Sequence, residues 1–491
     1  MLPTVDSHAY YQSFVQQQLR RYYSGDLLLL VAKDWHLITK FWITDLSRTF
    51  DLLRHTYSRR GPETIDPAKL LRSYLLMLQV KQISVTEWVN DLRRYPLYAI
   101  LSGFEYGHTP GVGTFYDFFR RLWSLDSPNV TPKKRLKRKK PKRGKKGEKA
   151  PTTTPNRVDK LIRQLSKRTS VRSQPFDTLL NLFQQQFLTL SARMGLLGDV
   201  SALSTACDGM PVQTAAQARR KRICSCREQG VLRCTCHREF SQPDCDFGWD
   251  SYRNRYFFGY HLYTFVAADS PYDLPIYPRL QRASRHDSMS WVVSAYEFRQ
   301  RFPEYTWFKV LLDAAHDAMP IYEYLQSHQV MPFIDLNKRN TGNKKYKDDI
   351  TISKNGIPIC KKGLEMKDNG YERARGRRKY RCPLVTKGVV TCDTPCSNSA
   401  YGRCVHTYTK DNPRLFPPVA RHSDEWNRVY KRRTTSERSN KREKEDYRLE
   451  AAKHRSTMMW TIRIYGIAMC QHIDAWYQET KLDLKSMLLS A

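Results

Sequence analysis

The chain has 491 residues, long enough to bury a large core and to divide into three or four pieces. Lysine and arginine outnumber aspartate and glutamate by 83 to 48, a formal charge of +35, so a polyanion is the expected partner and its binding should weaken with salt. No apolar run approaches the roughly 20 residues that span a bilayer, and the first residues lack a basic segment leading into an apolar core, which speaks against both a membrane protein and a secretory leader.

Residues 1–60 read as helical, with apolar positions recurring through Phe14, Leu19, Trp35 and Leu52. A second helical set follows over 70–78, 84–92 (with Ser84 or Thr86 as cap) and 95–101. A turn over 103–113 then leads into the aromatic stripe of Phe115, Phe118 and Phe119. By itself that stripe favours a plain helical core. Of the twenty residues 131–150, twelve are Lys or Arg, followed by Pro151 and Pro155. Such a block repels itself and stays disordered until it meets phosphate.

Beyond residue 194 the pattern changes to strands. Asp208 follows a short apolar stretch and precedes Gly209, which permits close approach. Residues 256–267 are aromatic and β-rich, with a turn over 269–273 and another strand near 274–277. The apolar run from Trp307 ends on Asp313, a helix follows over 318–325, and 330–337 is a further strand. Acids at strand ends are where an open α/β sheet builds its site. Asp317 is expected in the first turn of the next helix, where an acid suits the dipole, and His286-Asp287 is expected to cap a helix.

The twelve cysteines of a non-secreted chain point away from disulfides. One group holds Cys224, Cys226, Cys234, Cys236, His237 and Cys245; a second holds Cys360, Cys382, Cys392, Cys396 and Cys404. Either could supply four ligands to a tetrahedral structural Zn²⁺. The spacing of Cys382, Cys392, Cys396 and Cys404 is closer to a knuckle, so that set is preferred. Cys224, Cys226, Cys234 and Cys236, with their irregular Cys-x-Cys pairs, are the second candidate. Reduced, unliganded cysteines are the alternative for both, and Cys207 and Cys470 are expected in the core.

The most informative run is 430–444, in which Tyr430, Arg433, Glu437 and Lys444 recur at offsets of 3, 7 and 14. At about 100° per residue these project within an arc of roughly 60° on a helix. A solvated surface helix would explain the charges. The same residues at the same spacing resemble the Tyr-Arg-Glu-Lys signature of DDE transposases from bacterial insertion sequences. The resemblance spans roughly residues 62–470 and implies Asp208, Asp313 and Glu437 as catalytic acids holding two Mg²⁺ (or Mn²⁺). It makes Tyr430, Arg433 and Lys444 contacts to DNA phosphates, with Tyr430 not a nucleophile.

The fold it implies is an α/β catalytic core, a ribonuclease-H-like mixed sheet with flanking helices, over 161–338 and 428–491. To this it adds an all-α N-terminal region for DNA binding and assembly over 1–123, helix-turn-helix-like in part, and a basic linker over 124–160. A loop- and β-rich, cysteine-containing insertion over 339–427 precedes the last catalytic helix. The implied activity is two-metal-ion cleavage and strand transfer at terminal inverted repeats, by a homodimer in the DNA complex, in the bacterial cytoplasm at the nucleoid. A related DDE-type nuclease without strand transfer, and a domesticated zinc-stabilised DNA-binding protein, are the alternatives.

Overall fold

The computed structural model describes residues 6–24, 28–124, 130–131, 157–216, 221–239, 242–337, 344–346, 350–386 and 389–485. It is a mixed α/β structure centred on a six-stranded sheet: β1 (Leu203–Gln213), β2 (Asp246–Asp250), β3 (Arg255–Ala267), β4 (Pro275–Arg282), β5 (Trp307–Leu312) and β6 (Met331–Ile334). β3 pairs antiparallel with β1, β2 and β4. On the other side of β1 the neighbours are parallel, β5 against β1 and β6 against β5. β1 is therefore where the sheet changes from antiparallel to parallel.

Local chemistry accounts for these elements. Val310, Leu311 and Leu312 are wholly buried, as a strand covered on both faces requires. The tight β3–β4 turn places Asp273 at φ 53°, a conformation aspartate tolerates. A parallel β5–β6 step needs a crossover, which the helix Met319–Ser327 supplies with a proline in its first turn. The strands expected from the apolar runs all form. β2, with its glycine and two aspartates, had no strand signature.

The last helix, Thr457–Glu479, is apolar on nearly every side and is buried accordingly. It packs against β4 and against the helices Ala32–Ile43, Pro67–Gln79 and Asp177–Phe183. Gly466 allows the close approach: a Cβ there would lie 2.6 Å from Leu78 and 2.8 Å from Tyr74. The N-terminal helices thus share one hydrophobic core with the sheet, and no break in that core falls at residue 123. Trp88, Phe115, Phe118 and Phe119 are among its most buried members, so the aromatic stripe is core.

Between β6 and the signature helix, short antiparallel strands (Ile350–Ile352, Lys367–Glu372, Arg377–Arg381 and Cys404–Tyr408 among them) enclose a small core of their own, including Ile352, Met366, Tyr380 and Phe416. This region is fastened to the sheet by Asp317. That residue is not in a helical first turn as expected, because the helix begins at Met319. Its carboxylate has no exposed surface and accepts from Arg414 Nε (2.7 Å) and Nη2 (2.6 Å), from the Tyr322 hydroxyl (3.1 Å) and from the Asn337 amide (2.7 Å). Of the expected basic linker, 125–129 and 132–156 lie outside the described residues; Val130–Thr131 pair antiparallel with Arg238–Glu239. Among the described residues no helix is long and apolar enough to cross a membrane.

Candidate active site and cysteine centre

β1 and β5 run side by side with Ala206 opposite Leu311. Asp208 and Asp313 each lie two residues further on. The two-residue period therefore brings them level on one side of the sheet, on strands roughly 4.8 Å apart. Asp208 is half-buried within β1, whereas Asp313 lies just past β5 and caps a short turn by accepting from the Ala315 amide (3.1 Å). Burial, and then the charges of Asp313 and Asp287, push the Asp208 pKa up to about 6. Burial also acts on Asp313, but the hydrogen bond and charge of His316 outweigh it and hold this carboxyl below its ordinary value. His316 is buried, with Nδ1 2.6 Å from Asp313 Oδ1 and Nε2 2.8 Å from the Tyr263 hydroxyl.

Asp287 joins these acids from the first residue of the helix Asp287–Arg301, behind the N-cap His286. His261 Nε2, from β3, lies 2.9 Å from Asp287 Oδ1. Gly209 makes room for that contact. A Cβ on residue 209 would fall 2.1 Å from His261 Nε2 and 2.5 Å from Asp287 Oδ1. Glycine is needed there for close approach and not for a turn, because its φ is not in the left-handed region.

The signature run is helical throughout but uneven. Asp424–Tyr430 passes through a 3₁₀ turn at Lys431–Arg433 into Thr434–Lys441 and then a π turn at Arg442–Asp446. Thr435, Ser436, Ser439 and Asn440 are buried, and these small polar residues let the helix pack closely on β1 and β3. Asn440 Nδ2 reaches Asp208 Oδ2 at 3.3 Å. Glu437 lies at the exposed edge of that face and accepts from Arg433 Nη2 at 2.5 Å. The positive charge of Arg433 is felt at Asp208 and at Tyr430 as well as at Glu437. Tyr430 stacks on Trp426, which packs on Phe333 of β6; burial raises its hydroxyl pKa well above the ordinary value. The structure thus brings Asp208, Asp313, Glu437, Arg433 and Tyr430 into one electrostatic neighbourhood.

Lys444 falls in the π turn, whose i→i+5 winding departs from the 100° count. It makes no hydrogen bond or ion pair among the described residues. Asp287 was noticed only as a cap. His316, three residues after Asp313, is set aside in the sequence in favour of that acid, and nothing local marks His261, Tyr263 or Asn440, because the contacts that matter are made across the fold and leave no local pattern.

Among the described residues, the three expected acids do not form a set of ligand atoms within 4.8 Å of one another. Cys224, Cys226, Cys234 and Cys236 do, and they are the sole such group. The hairpin Lys221–Arg222 with Arg238–Glu239 closes their base, and the left-handed Gly230 turns the loop between them. The sulfurs pair crosswise, 224 with 234 at 3.6 Å and 226 with 236 at 3.5 Å. That is far longer than a disulfide of about 2.05 Å and close to the roughly 3.8 Å edge of a tetrahedron with Zn–S bonds of about 2.3 Å. Buried Arg238 donates to Cys234 Sγ (2.8 Å) and Cys224 Sγ (3.3 Å), holding the Cys234 thiol below its ordinary pKa. Cys224 is lowered to about 6, first by the Cys226 amide and then by Arg238.

The preference between the cysteine sets is therefore reversed. Arg381 is directly opposite Cys404 in an antiparallel pair, so Cys382, one residue on, faces the other side of that sheet. Cys382 is buried and Cys404 exposed, and with Cys392 and Cys396 they form no metal-sized cluster. All twelve cysteines are free. No protein-family model matches the chain, and no curated protein matches it.

Proposed function

We propose that this chain is a DNA transposase of the DDE type, which binds the terminal inverted repeats of an insertion sequence and cuts and joins DNA phosphodiesters. The observation that carries the reading is the register of β1 and β5, which sets Asp208 level with Asp313, with the helix of Glu437 laid across them. The strand order β4-β3-β1-β5-β6, antiparallel up to β1 and parallel beyond it, is compatible with a ribonuclease-H-like sheet and supports the same reading.

Each residue then has a role its surroundings suit. Asp208, Asp313 and Glu437 offer hard oxygen ligands, and the pKa of Asp208 is raised first by burial and then by the neighbouring carboxylates of Asp313 and Asp287, a site that a divalent cation would neutralise. Mg²⁺ or Mn²⁺ held there would activate an attacking water or 3′-hydroxyl and stabilise the leaving oxygen. His316 and Tyr263 fix the orientation of Asp313. Arg433, paired with Glu437, is placed to exchange that partner for a DNA phosphate. Tyr430, stacked and with its hydroxyl pKa raised, is suited to phosphate contact and not to nucleophilic attack. The four-cysteine centre, held by its own hairpin, would be a structural zinc site.

The test is the purified protein with DNA carrying its element's ends, in Mg²⁺ and in EDTA, scored for nicking, double-strand cutting and joining. Asp208→Ala, Asp313→Ala and Glu437→Ala should each abolish metal-dependent cutting and leave DNA binding largely intact, since binding rests on basic surface. Cutting by Asp208→Ala at the wild-type rate would refute the triad. Cutting without joining would identify the nuclease alternative.

A further inference from the structure

The sheet face that carries Asp208 continues beyond the acids. β1 and β3 pair without a break from Thr205 opposite Ala267 to Gln213 opposite Gly259. Asp208, opposite Thr264, therefore shares its face with Leu262, Tyr260, Phe258 and Tyr256 in turn. Beneath the last helix this face is core. Leu262 and Tyr260 are buried, and the Tyr260 hydroxyl lies 2.6 Å from Thr457 Oγ1 at that helix's first residue. Past Tyr260 the face comes into the open. β2 extends it, with Phe247 opposite Phe258 and Trp249 opposite Tyr256. The rings meet edge to face with centroids 5.1 and 4.8 Å apart. Phe247, Trp249 and Tyr256 are 55%, 51% and 74% exposed. The reverse side is anchored: Phe257 is buried, and a Cβ on Gly248 would lie 2.7 Å from the Ala283 carbonyl. One side of the hairpin is packed and the other presents a continuous, bare aromatic surface.

The neighbouring charge indicates what covers it. Glu450 accepts from the Gln213 amide (3.1 Å) and from Arg253 Nη2 (3.2 Å), fastening the segment after the signature helix to the hairpin. That segment carries Arg448, Lys453 and Arg455, all exposed and none in an ion pair among the described residues. Exposed rings on a hairpin to which a segment with unpaired cations is fastened suit a strand whose bases are unstacked: the rings take base faces and the cations take phosphates. A duplex offers no free base faces, and an apolar protein surface would leave the cations without partners.

We propose that Phe247, Trp249 and Tyr256 form a stacking platform for unpaired nucleotides of single-stranded DNA. Tyr256 is eight residues along β3 from Thr264, about 27 Å at 3.4 Å per residue. The platform is placed to hold a strand leading away from Asp208. The choice of DNA rests on the transposase reading; the rings and cations do not.

The experiment measures anisotropy of fluorescein-labelled (dT)15 and of a 15-base-pair duplex, without divalent metal. It compares wild type, Trp249→Ala/Tyr256→Ala and Trp249→Phe/Tyr256→Phe, with circular dichroism to check folding. Two lost base stacks should weaken (dT)15 binding by about thirtyfold or more. Duplex affinity should change by less than about threefold, and the phenylalanine pair should remain near wild type. Unchanged (dT)15 binding in the alanine pair overturns the proposal, as does an equal loss on duplex. So does a fall in oligomer mass with (dT)15 binding kept, which would make the face a contact between protein chains. Cleavage is scored separately: (dT)15 binding that does not depend on the rings, with triad-dependent cutting intact, sinks this proposal alone, and ring-dependent (dT)15 binding without any cutting sinks the transposase reading alone.

Discussion

Glu443, one position before Lys444, is 1% exposed, and neither of its carboxylate oxygens has a hydrogen-bond partner among the described residues. Burial pushes its pKa up from 4.5 to about 8, against the weaker pull of Lys444 and Arg442. An acid whose pKa is raised by folding binds its proton more tightly in the folded state, so its contribution is favourable at low pH and is lost as pH rises through about 8. Asp208 acts likewise, but only up to about pH 6. Between those two values Glu443 lowers stability as pH rises, with a cost on the order of 5 kcal/mol once it is fully ionised. The partly exposed Cys224 thiol, lowered to about 6, acts in the opposite direction. Glu443→Gln, neutral throughout, removes only the first effect, so the melting temperature of the metal-free variant should rise relative to wild type from pH 6.5 to 9 and lie above it at pH 9. A difference that does not grow over this window would remove the argument. Asp208 and Asp313 were legible because each stands at a break in an apolar run. Glu443 was not, since in the sequence it is one charge among many, and only the helix's approach to the sheet desolvates it.

Elements were legible where a single period governed them and illegible where two segments had to meet. β5 and β6 follow from their apolar runs. The signature helix was readable as a helix, but its 3₁₀ and π turns could not be read, so the register counted for Lys444 fails at the π turn while that of Arg433 to Glu437 holds. Asp317 shows the same limit: its partner Arg414 lies 97 residues away. Removing one member of a buried ion pair strands the other charge, at roughly 3–5 kcal/mol. Asp317→Ala should therefore lower stability by that order and expose residues 339–427 to limited proteolysis. Unchanged melting and an unchanged digestion pattern would show that the pair is not what docks this region. The cysteine hairpin makes a parallel case. The irregular Cys-x-Cys spacing counted against it, yet a hairpin whose strands bring the two pairs face to face satisfies a tetrahedron. Freshly purified, EDTA-free protein should contain about one zinc per chain. That zinc should be lost in Cys224→Ser/Cys234→Ser and kept in Cys392→Ser/Cys396→Ser. Zinc that follows the second pair of substitutions would restore the original preference.

At the scale of the whole molecule, the N-terminal helices and the sheet share one core, so their basic surfaces are held in fixed relation, whereas the lysine- and arginine-rich tract is joined to that body at Val130–Thr131 through the cysteine hairpin. The tract supplies twelve basic residues and one acid, Glu148, about a third of the net charge of +35. Each phosphate it neutralises should add about −0.9 to the slope of log K against log salt. If half of its cations reach phosphate, deleting residues 133–149 should make that slope shallower by about 5 and lower affinity for any DNA at moderate salt. The deletion leaves the pairing of Val130–Thr131 in place, so the cysteine hairpin should keep its zinc. Reading sequence requires side chains fixed against base edges, which a run of consecutive lysines and arginines does not provide. Preference for the element's ends over random DNA should therefore survive the deletion, carried by the folded helices of residues 62–123 and by the 339–427 region. Gel shifts at several salt concentrations, with end and random sequences in parallel, separate the two contributions. A deletion that abolished end preference and left the salt slope unchanged would make the tract the specific reader and reverse this division of labour.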